Sequence, residues 1–299
     1  MTTPRWSPDP TGGHAPARPP GPTALRIVLG TQLRRLREAR GITAGAAGQA
    51  IRASHAKISR MELGRVGFRD RDVTDLLTFY GVTDEQERGA FLTLVRQANV
   101  PGWWHQYSDI VPSWFEIYLG LEQASSIIRT YQPQLVPGLL QTPEVARAII
   151  QLGHPRRSAD DIERRLALRM TRQEILTQRE APQLWAVMEE ASLWRLDGRS
   201  TMRNQIQHLI NMAELPNVTV QVIGMHSGPH SALGGPFSLL RFSEPDLPDL
   251  VYLEQLSSSL YLDKTEDVQH YREIMDRLSV QAKTPAETIR FLDSTLKEI

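Results

Sequence analysis

The residues with the most chemistry to offer lie close together near the N-terminus. Residues 41–64 read GITAGAAGQAIRASHAKISRMELG, and Thr43 and Ser54 each precede a helix-forming run. A threonine or serine in that place caps a helix by accepting from its free backbone N–H groups. Ala47 and Ile51 stand four apart, Ile58 and Met61 three apart, so two short helices can bury these pairs against each other. Counting about 100° per residue from Ile58, the outward side of the second helix carries Ala56, Ser59, Arg60 and Leu63. His55 stands at its exposed N-terminal end. Helix, tight turn and helix at this spacing make a helix-turn-helix, whose second helix meets base edges in the major groove of DNA. Lys57, Arg65 and Arg69 flank that face and suit phosphates, as do Ser54 and the free N–H groups beside it. The candidate DNA contacts are therefore Thr43, Ser54, His55, Ala56, Lys57, Ser59, Arg60, Arg65 and Arg69.

Charge supports a polyanion at this end alone. The 299-residue chain has 34 Lys and Arg against 34 Asp and Glu, a formal net charge of zero. Residues 1–100 hold 15 basic against 9 acidic residues, a net of +6, and the remainder hold 19 against 25, a net of −6. Between residues 24 and 69 the count is 10 basic to 2 acidic. That split points to a polyanion as partner of one compact unit, and the helix-turn-helix makes double-stranded DNA the expected one. With no cysteine, disulfides and thiolate metal sites are excluded. No apolar run is long enough to span a membrane, and the first residues lack a signal pattern, so a cytoplasmic protein is expected.

The elements that must position these residues follow from period and punctuation. Residues 1–23 hold seven prolines and three glycines and few apolar residues, the composition of a disordered tail. Leu25, Val28, Leu29, Leu33 and Leu36 then mark a helix that Gly41 can end. Helices over 44–51, 55–63, 70–80 and 84–98 complete an all-α helix-turn-helix domain at 24–98. Residues 101–114, PGWWHQYSDIVPSW, read as an irregular packed connector. Helices are expected near 114–128, 143–152, 160–179, 201–214, 265–281 and 285–297. Short strands are expected at 184–187, 218–223, 237–242, 250–253 and 260–262. Residues 99–299 are thus an α+β domain with a small, mostly antiparallel sheet.

LRRLREARGIT followed by KISRMELG resembles the lambda-repressor-like, or XRE-type, DNA-binding domains. PGWW, TYQPQLVPGLLQT, PNVTVQV, GGPFSLLRF and VYLE resemble the actinobacterial regulators, WhiJ-like proteins among them, that join such a domain to one particular C-terminal domain. The resemblance implies an antitoxin-like transcription regulator with a small partner protein encoded nearby. It also implies a pair between Arg37 and Glu62 that orients the reading helix, worth about 0–1 kcal/mol if partly exposed. Three departures stand out. Ala44 replaces a polar residue that touches phosphate, Gly45 and Gly48 weaken the helix by about 1 kcal/mol each, and Arg52 occupies the turn position that usually holds glycine. Gly48 matches a position where the family usually has alanine, so Gly48→Ala is expected to be tolerated.

Other chemistry-bearing residues give weaker patterns. His226 and His230 lie four apart in the loop GMHSGPHSALGG, but a loop does not put them on one face and no third metal ligand is near. Glu189, Glu190 and Glu254 are carboxylates at strand ends without a catalytic motif around them. Trp103 and Trp104 suit either a partner hot spot or a pinned connector. Arg129, Tyr131 and Gln134 fall in the resemblance's most recognisable motif. Trp103, Trp104, Arg129, Tyr131, Gln134, His226 and His230 are therefore carried as candidate ligand or partner contacts. The expectation is a homodimeric, sequence-specific DNA-binding regulator, not an enzyme, without metal or cofactor. Its C-terminal domain would dimerise and take a signal from a partner protein. One alternative is a repressor sensing a small-molecule effector. Another is an enzyme or binding protein whose degenerate helix-turn-helix no longer reads DNA.

Overall fold

The computed structural model describes residues 21–299 except 197, 233 and 246. The expected disordered tail therefore lies, but for its last three residues, outside the described residues. The N-terminal helices are α1 (Pro22–Ala39), α2 (Ala44–Ala50), α3 (His55–Glu62), α4 (Asp70–Phe79) and α5 (Glu85–Ala98). They enclose a core of Leu29, Leu33, Ala47, Ile51, Ile58, Met61, Val73, Leu76, Leu77 and Val95, among others. Each of the Leu, Ile, Val and Met side chains, fully buried, contributes about 1.5–3 kcal/mol before ordering entropy is subtracted.

Helices α1 to α4 end the same way. A residue with positive φ follows the C-cap, and the next N–H bonds back to the carbonyl five residues earlier. The bonds are Ile42 to Arg37, Ala53 to Gly48, Arg65 to Arg60 and Val82 to Leu77, at 2.8–3.1 Å. The left-handed residue is glycine in three of them, Gly41, Gly64 and Gly81, but Arg52 in the second.

A short 3₁₀ turn, Trp103–Tyr107, leads to α6 (Ser113–Ala124). The remainder is β1 (Ser125–Gln132), α7 (Pro143–Gly153), α8 (Ala159–Gln173), β2 (Gln183–Glu189), α9 (Ala191–Trp194), α10 (Arg199–Ala213), β3 (Val218–Ile223), β4 (Phe237–Phe242), β5 (Leu250–Glu254), β6 (Ser259–Leu262), α11 (Thr265–Gln281) and α12 (Pro285–Glu298). The sheet order is β3-β2-β1-β4-β5-β6. β1, β2 and β3 run parallel, and the pairings β1–β4, β4–β5 and β5–β6 are antiparallel. The sheet is thus mixed, antiparallel in three of its five pairings.

Alternation along the strands sorts side chains between two faces. Ile128, Leu184, Ala186, Val220 and Leu240 pack with Tyr118 and Leu121 of α6, Ile206 and Leu209 of α10 and Leu292 of α12. Tyr131, Val187, Ile223, Leu239 and Val251 pack with Met275 and Leu278 of α11. Strand β1, at the centre, corrects the sequence reading, which ran a helix on to 128. The Ser125 hydroxyl donates to the Leu121 carbonyl at 2.8 Å as the helix ends, and the β-branched pair Ile127–Ile128 then favours extension. The helix expected over 160–179 likewise stops at Gln173 and passes into a 3₁₀ turn, Glu174–Leu176.

Helix α1 belongs to two cores. Leu29 and Leu33 face the N-terminal one, while Ala24 and Val28 are buried with the sheet and α6. The boundary drawn between 24–98 and 99–299 is therefore crossed by this helix.

Candidate nucleic-acid interface

Thr43 and Ser54 cap the two helices of the motif. Thr43 Oγ1 accepts from Ala46 N–H at 3.1 Å, and Ser54 Oγ from Lys57 N–H at 3.2 Å. Each hydroxyl keeps its own proton for an outside acceptor such as phosphate. Beyond the cap, His55, Ala56 and Arg60 are exposed and Ser59 is half-buried, one continuous face opposite buried Ile58 and Met61. The Arg60 Nε donates to the carbonyl of Ala56 at 3.3 Å, so its guanidinium lies along its own helix. Arg65 and Arg69 are exposed on the segment after α3.

Lys57 is placed differently from expectation. Its ammonium lies 2.5 Å from a carboxylate oxygen of Asp72 in the first turn of α4. A phosphate would have to take it from that partner. Lys57 and Asp72 help to line a cleft of about 590 Å³, together with Arg52, Arg69, Arg71 and Phe79. Arg52 and Arg71 were not among the candidates. Arg52 stands in the turn of the motif and Arg71 two residues after Arg69, so proximity in sequence was the available signal.

The orienting pair is tighter than a surface ion pair. Arg37 donates to the two carboxylate oxygens of Glu62 at 2.5 and 2.9 Å, and to the Ile42 carbonyl at 2.8 Å. The two side chains are only 11% and 8% exposed. Hydrogen bonding to Glu62 holds the Arg37 pKa above its usual value despite the opposing effect of burial. The expected worth of about 0–1 kcal/mol applies to exposed pairs. Here, removing one partner strands a buried charge, at about 3–5 kcal/mol. Close by, burial above all, and then the Glu62 charge, push the Tyr80 phenol up to about 12. Its hydroxyl is buried without a hydrogen-bond partner among the described residues.

Backbone geometry bears on the departures at Gly45, Gly48 and Arg52. Arg52 takes φ of 55°, so a side chain occupies a left-handed position. Gly48 corrects the expectation of tolerance: a Cβ there would lie 2.7 Å from the Ala53 carbonyl oxygen, where the motif turns back on itself. At Gly45 the nearest atom to an added Cβ is Thr43 Oγ1, at 3.8 Å.

The C-terminal candidates are mostly engaged in packing. Trp104 is buried with Val111, Leu119 and Leu168, and Trp103 packs edge-on against it at 5.8 Å. Arg129 pairs with Asp276 at 2.7 Å and lies over Trp185 at 5.0 Å. Gln134 is exposed, and Arg195 donates to its carbonyl at 3.1 Å. Tyr131, Glu189 and His230 form a cluster that sequence reasoning did not assemble. The Tyr131 hydroxyl donates to Glu189 at 2.9 Å, and His230 Nε2 lies 3.0 Å from the same carboxylate. His230 Nδ1 accepts from Ala232 N–H, which leaves the proton on Nε2. Burial, and then the bond to Glu189, raise the Tyr131 pKa. The cluster pins His230 against the ends of β1 and β2. His226 remains exposed. Two strands separate Glu254 from Glu189, so the three strand-end carboxylates do not meet.

The fold and this face define a helix-turn-helix regulator of the DNA-binding class joined to an α+β domain with a mixed sheet. Comparison with known families agrees. Residues 28–91 match a helix-turn-helix domain, which supports an XRE-like regulator. Residues 115–294 match a domain of unknown function, DUF5753. That match takes in more than half of the chain, and the protein belongs to this family. Neither the curated proteins nor the solved structures yield a match. Among the described residues no helix is long and apolar enough to cross a membrane.

Proposed function

We propose that the protein is a sequence-specific transcription regulator that binds double-stranded DNA as a homodimer. The observation that carries the reading is the exposed face of α3, from His55 to Arg60, held at a fixed roll by the buried Arg37–Glu62 pair. Arg60 reads a guanine edge, and Ser54, Arg65, Arg69, Arg52 and Arg71 reach phosphates on either side. One such helix covers a half-site, so a second copy supplies the other half at about 34–36 Å or a multiple of it. The protein acts in the cytoplasm, without enzymatic activity, metal or cofactor. It is antitoxin-like, of the actinobacterial WhiJ-like group, and a small partner protein encoded nearby controls it through the C-terminal domain.

A helix-turn-helix that has lost its DNA function is a rival, since Ala44 gives up a phosphate contact and Gly45 and Gly48 weaken α2. Intact caps at Thr43 and Ser54 and an assembled orienting pair favour a working motif. Selection of bound fragments from random DNA, at physiological salt, tests the reading. An inverted repeat should emerge. A pool without enrichment would sink it, and a single unrepeated half-site would sink the homodimer.

A further inference from the structure

A cavity of about 220 Å³ lies between α6, α8 and the Trp103–Tyr107 turn. Its walls include Trp103, Leu119, Glu122, Gln123, Arg172 and Glu174. Arg172 donates to the two oxygens of Glu122 at 2.5 and 2.7 Å, and the Tyr118 hydroxyl donates to the same carboxylate at 2.9 Å. Burial opposes the charge on Arg172, but Glu122 more than offsets it, and the arginine pKa is raised. These two charges cancel within the wall. Glu174 is exposed and has no ion-pair partner among the described residues, so its carboxylate is the uncompensated charge of the lining.

An indole and an unpaired carboxylate on one small cavity are the two groups that recognise an organic cation. The indole face attracts a charged nitrogen, and the carboxylate supplies the counter-charge. The volume is below that of sites for drug-sized molecules, so the occupant is small. We propose that this cavity is an effector site for a small organic ammonium compound and that its occupancy changes DNA affinity.

The connection to DNA runs through close backbone contacts. Leu119, Glu122 and Gln123 lie on α6, and Gly120 between them lets Thr23 of α1 approach so closely that a Cβ there has no room. Trp104, stacked edge-on to Trp103, closes on the same glycine. Seven residues after Thr23 along α1, Gly30 backs onto α3, where a Cβ would lie 2.5 Å from the Met61 carbonyl oxygen and 2.6 Å from that of Glu62. A ligand that moves α6 therefore moves the base of the reading helix. The effector role rests on the DNA-binding reading, whereas ammonium recognition does not.

Choline is the probe, and 3,3-dimethylbutan-1-ol, of the same shape without the charge, is its control. Equilibrium dialysis with the full-length protein should show binding of choline and not of the alcohol. Trp103→Leu and Glu174→Gln should each weaken choline by about tenfold. Glu174 is exposed, so its variant keeps the fold even if the Trp103 variant does not. Equal binding of the two probes, binding of neither, or unchanged choline affinity in Glu174→Gln overturns the site. Operator affinity is then measured with and without saturating choline, and a shift of at least threefold is expected. Bound choline with unchanged operator affinity overturns the effector role. Failure to bind DNA both with and without choline refutes the regulator reading and the effector role with it, and dialysis still reports on the cavity separately.

Discussion

One substitution, made at two glycines three residues apart, should give opposite results. Gly45→Ala and Gly48→Ala each add a methyl group to α2 and each remove about 1 kcal/mol of helix-propensity cost. At Gly45 the new Cβ meets only Thr43 Oγ1, at an ordinary 3.8 Å. The gain survives there as about 0.5–1 kcal/mol of added stability. At Gly48 the Cβ would lie 2.7 Å from the Ala53 carbonyl oxygen, and 3.3 Å from the Ser54 carbonyl carbon. Those atoms are backbone, fixed by the Ala53-to-Gly48 bond at 2.8 Å and by the cap of α3. Relief needs a shift of the whole turn, and overpacking of this kind costs about 1–3 kcal/mol. Net of propensity, Gly48→Ala should be destabilising by up to about 2 kcal/mol. Denaturant midpoints of the full-length variants, followed by far-ultraviolet circular dichroism, measure this. If Gly48→Ala matches Gly45→Ala in sign, the turn is not packed as described, and the placement of α3 fails with it.

Other consequences are equally direct. Arg52→Gly should stabilise the N-terminal unit by about 0.5–1 kcal/mol by releasing left-handed strain, and should weaken DNA binding; a variant that binds DNA as tightly would remove Arg52 from the phosphate contacts. Arg60→Ala should cost about 1–3 kcal/mol of operator affinity and relax one base position per half-site, and an unchanged binding motif in the selected fragments would exclude Arg60 from base reading. Log affinity should fall with log salt at a slope of about −5 to −9 for roughly six to ten phosphates per dimer, and a slope shallower than about −2 would contradict so large a basic footprint. Tyr80 is held neutral in the fold, its pKa raised from 10.0 to about 12, so the folded state keeps a proton that the unfolded state loses. Stability should therefore decline as pH rises from 10 towards 12. Tyr80→Phe should reduce that loss, and an identical alkaline decline in melting temperature would refute the assignment.

The legible part of this molecule is the part whose signals are local. Thr43, Ser54, Gly41 and Gly64 mark the ends of their helices by cap chemistry, and α2 to α5 fall within about a residue of their expected bounds. The outward face of α3 follows from the 3.6-residue period alone. Strand β1 was missed because its flanking sequence, FEIYLGLEQASSIIRTY, has no Gly or Pro between helix and strand. What makes it a strand is non-local, since its partners are β2 and β4, more than 50 residues away. The Lys57–Asp72 pair escaped for a similar reason. Its existence depends on where α4 crosses α3, and a charge count of the basic stretch treats the lysine as free. Tyr131, Glu189 and His230 come from three separated segments, and the fold alone brings them into contact.

Helix α1 changes how the two units relate. Had the reading domain been tethered by a plain linker, a signal in the C-terminal domain could reach DNA only by altering the dimer. Instead, Thr23, Ala24 and Val28 are built into the C-terminal side, and Gly30, Leu33 and Arg37 of the same helix support α3. A fragment beginning near residue 100 would lack the first group and uncover part of the apolar surface that receives it. The fragment's oligomeric state would then mix native association with exposed core, so dimerisation has to be measured on the full chain. The sharing also gives the Arg37–Glu62 pair a further consequence. It fastens α3 to a helix whose other end is already fixed, so the roll of the reading face is set against the C-terminal core as well as the small N-terminal one. Glu62→Gln, which keeps the shape but removes the charge, should leave the buried Arg37 only the half-exposed Glu38 carboxylate, at 3.4 Å, as counter-ion and should weaken operator binding. Normal operator affinity in a folded Glu62→Gln protein would mean that sterics at Gly30, and not the ion pair, hold the reading helix in place.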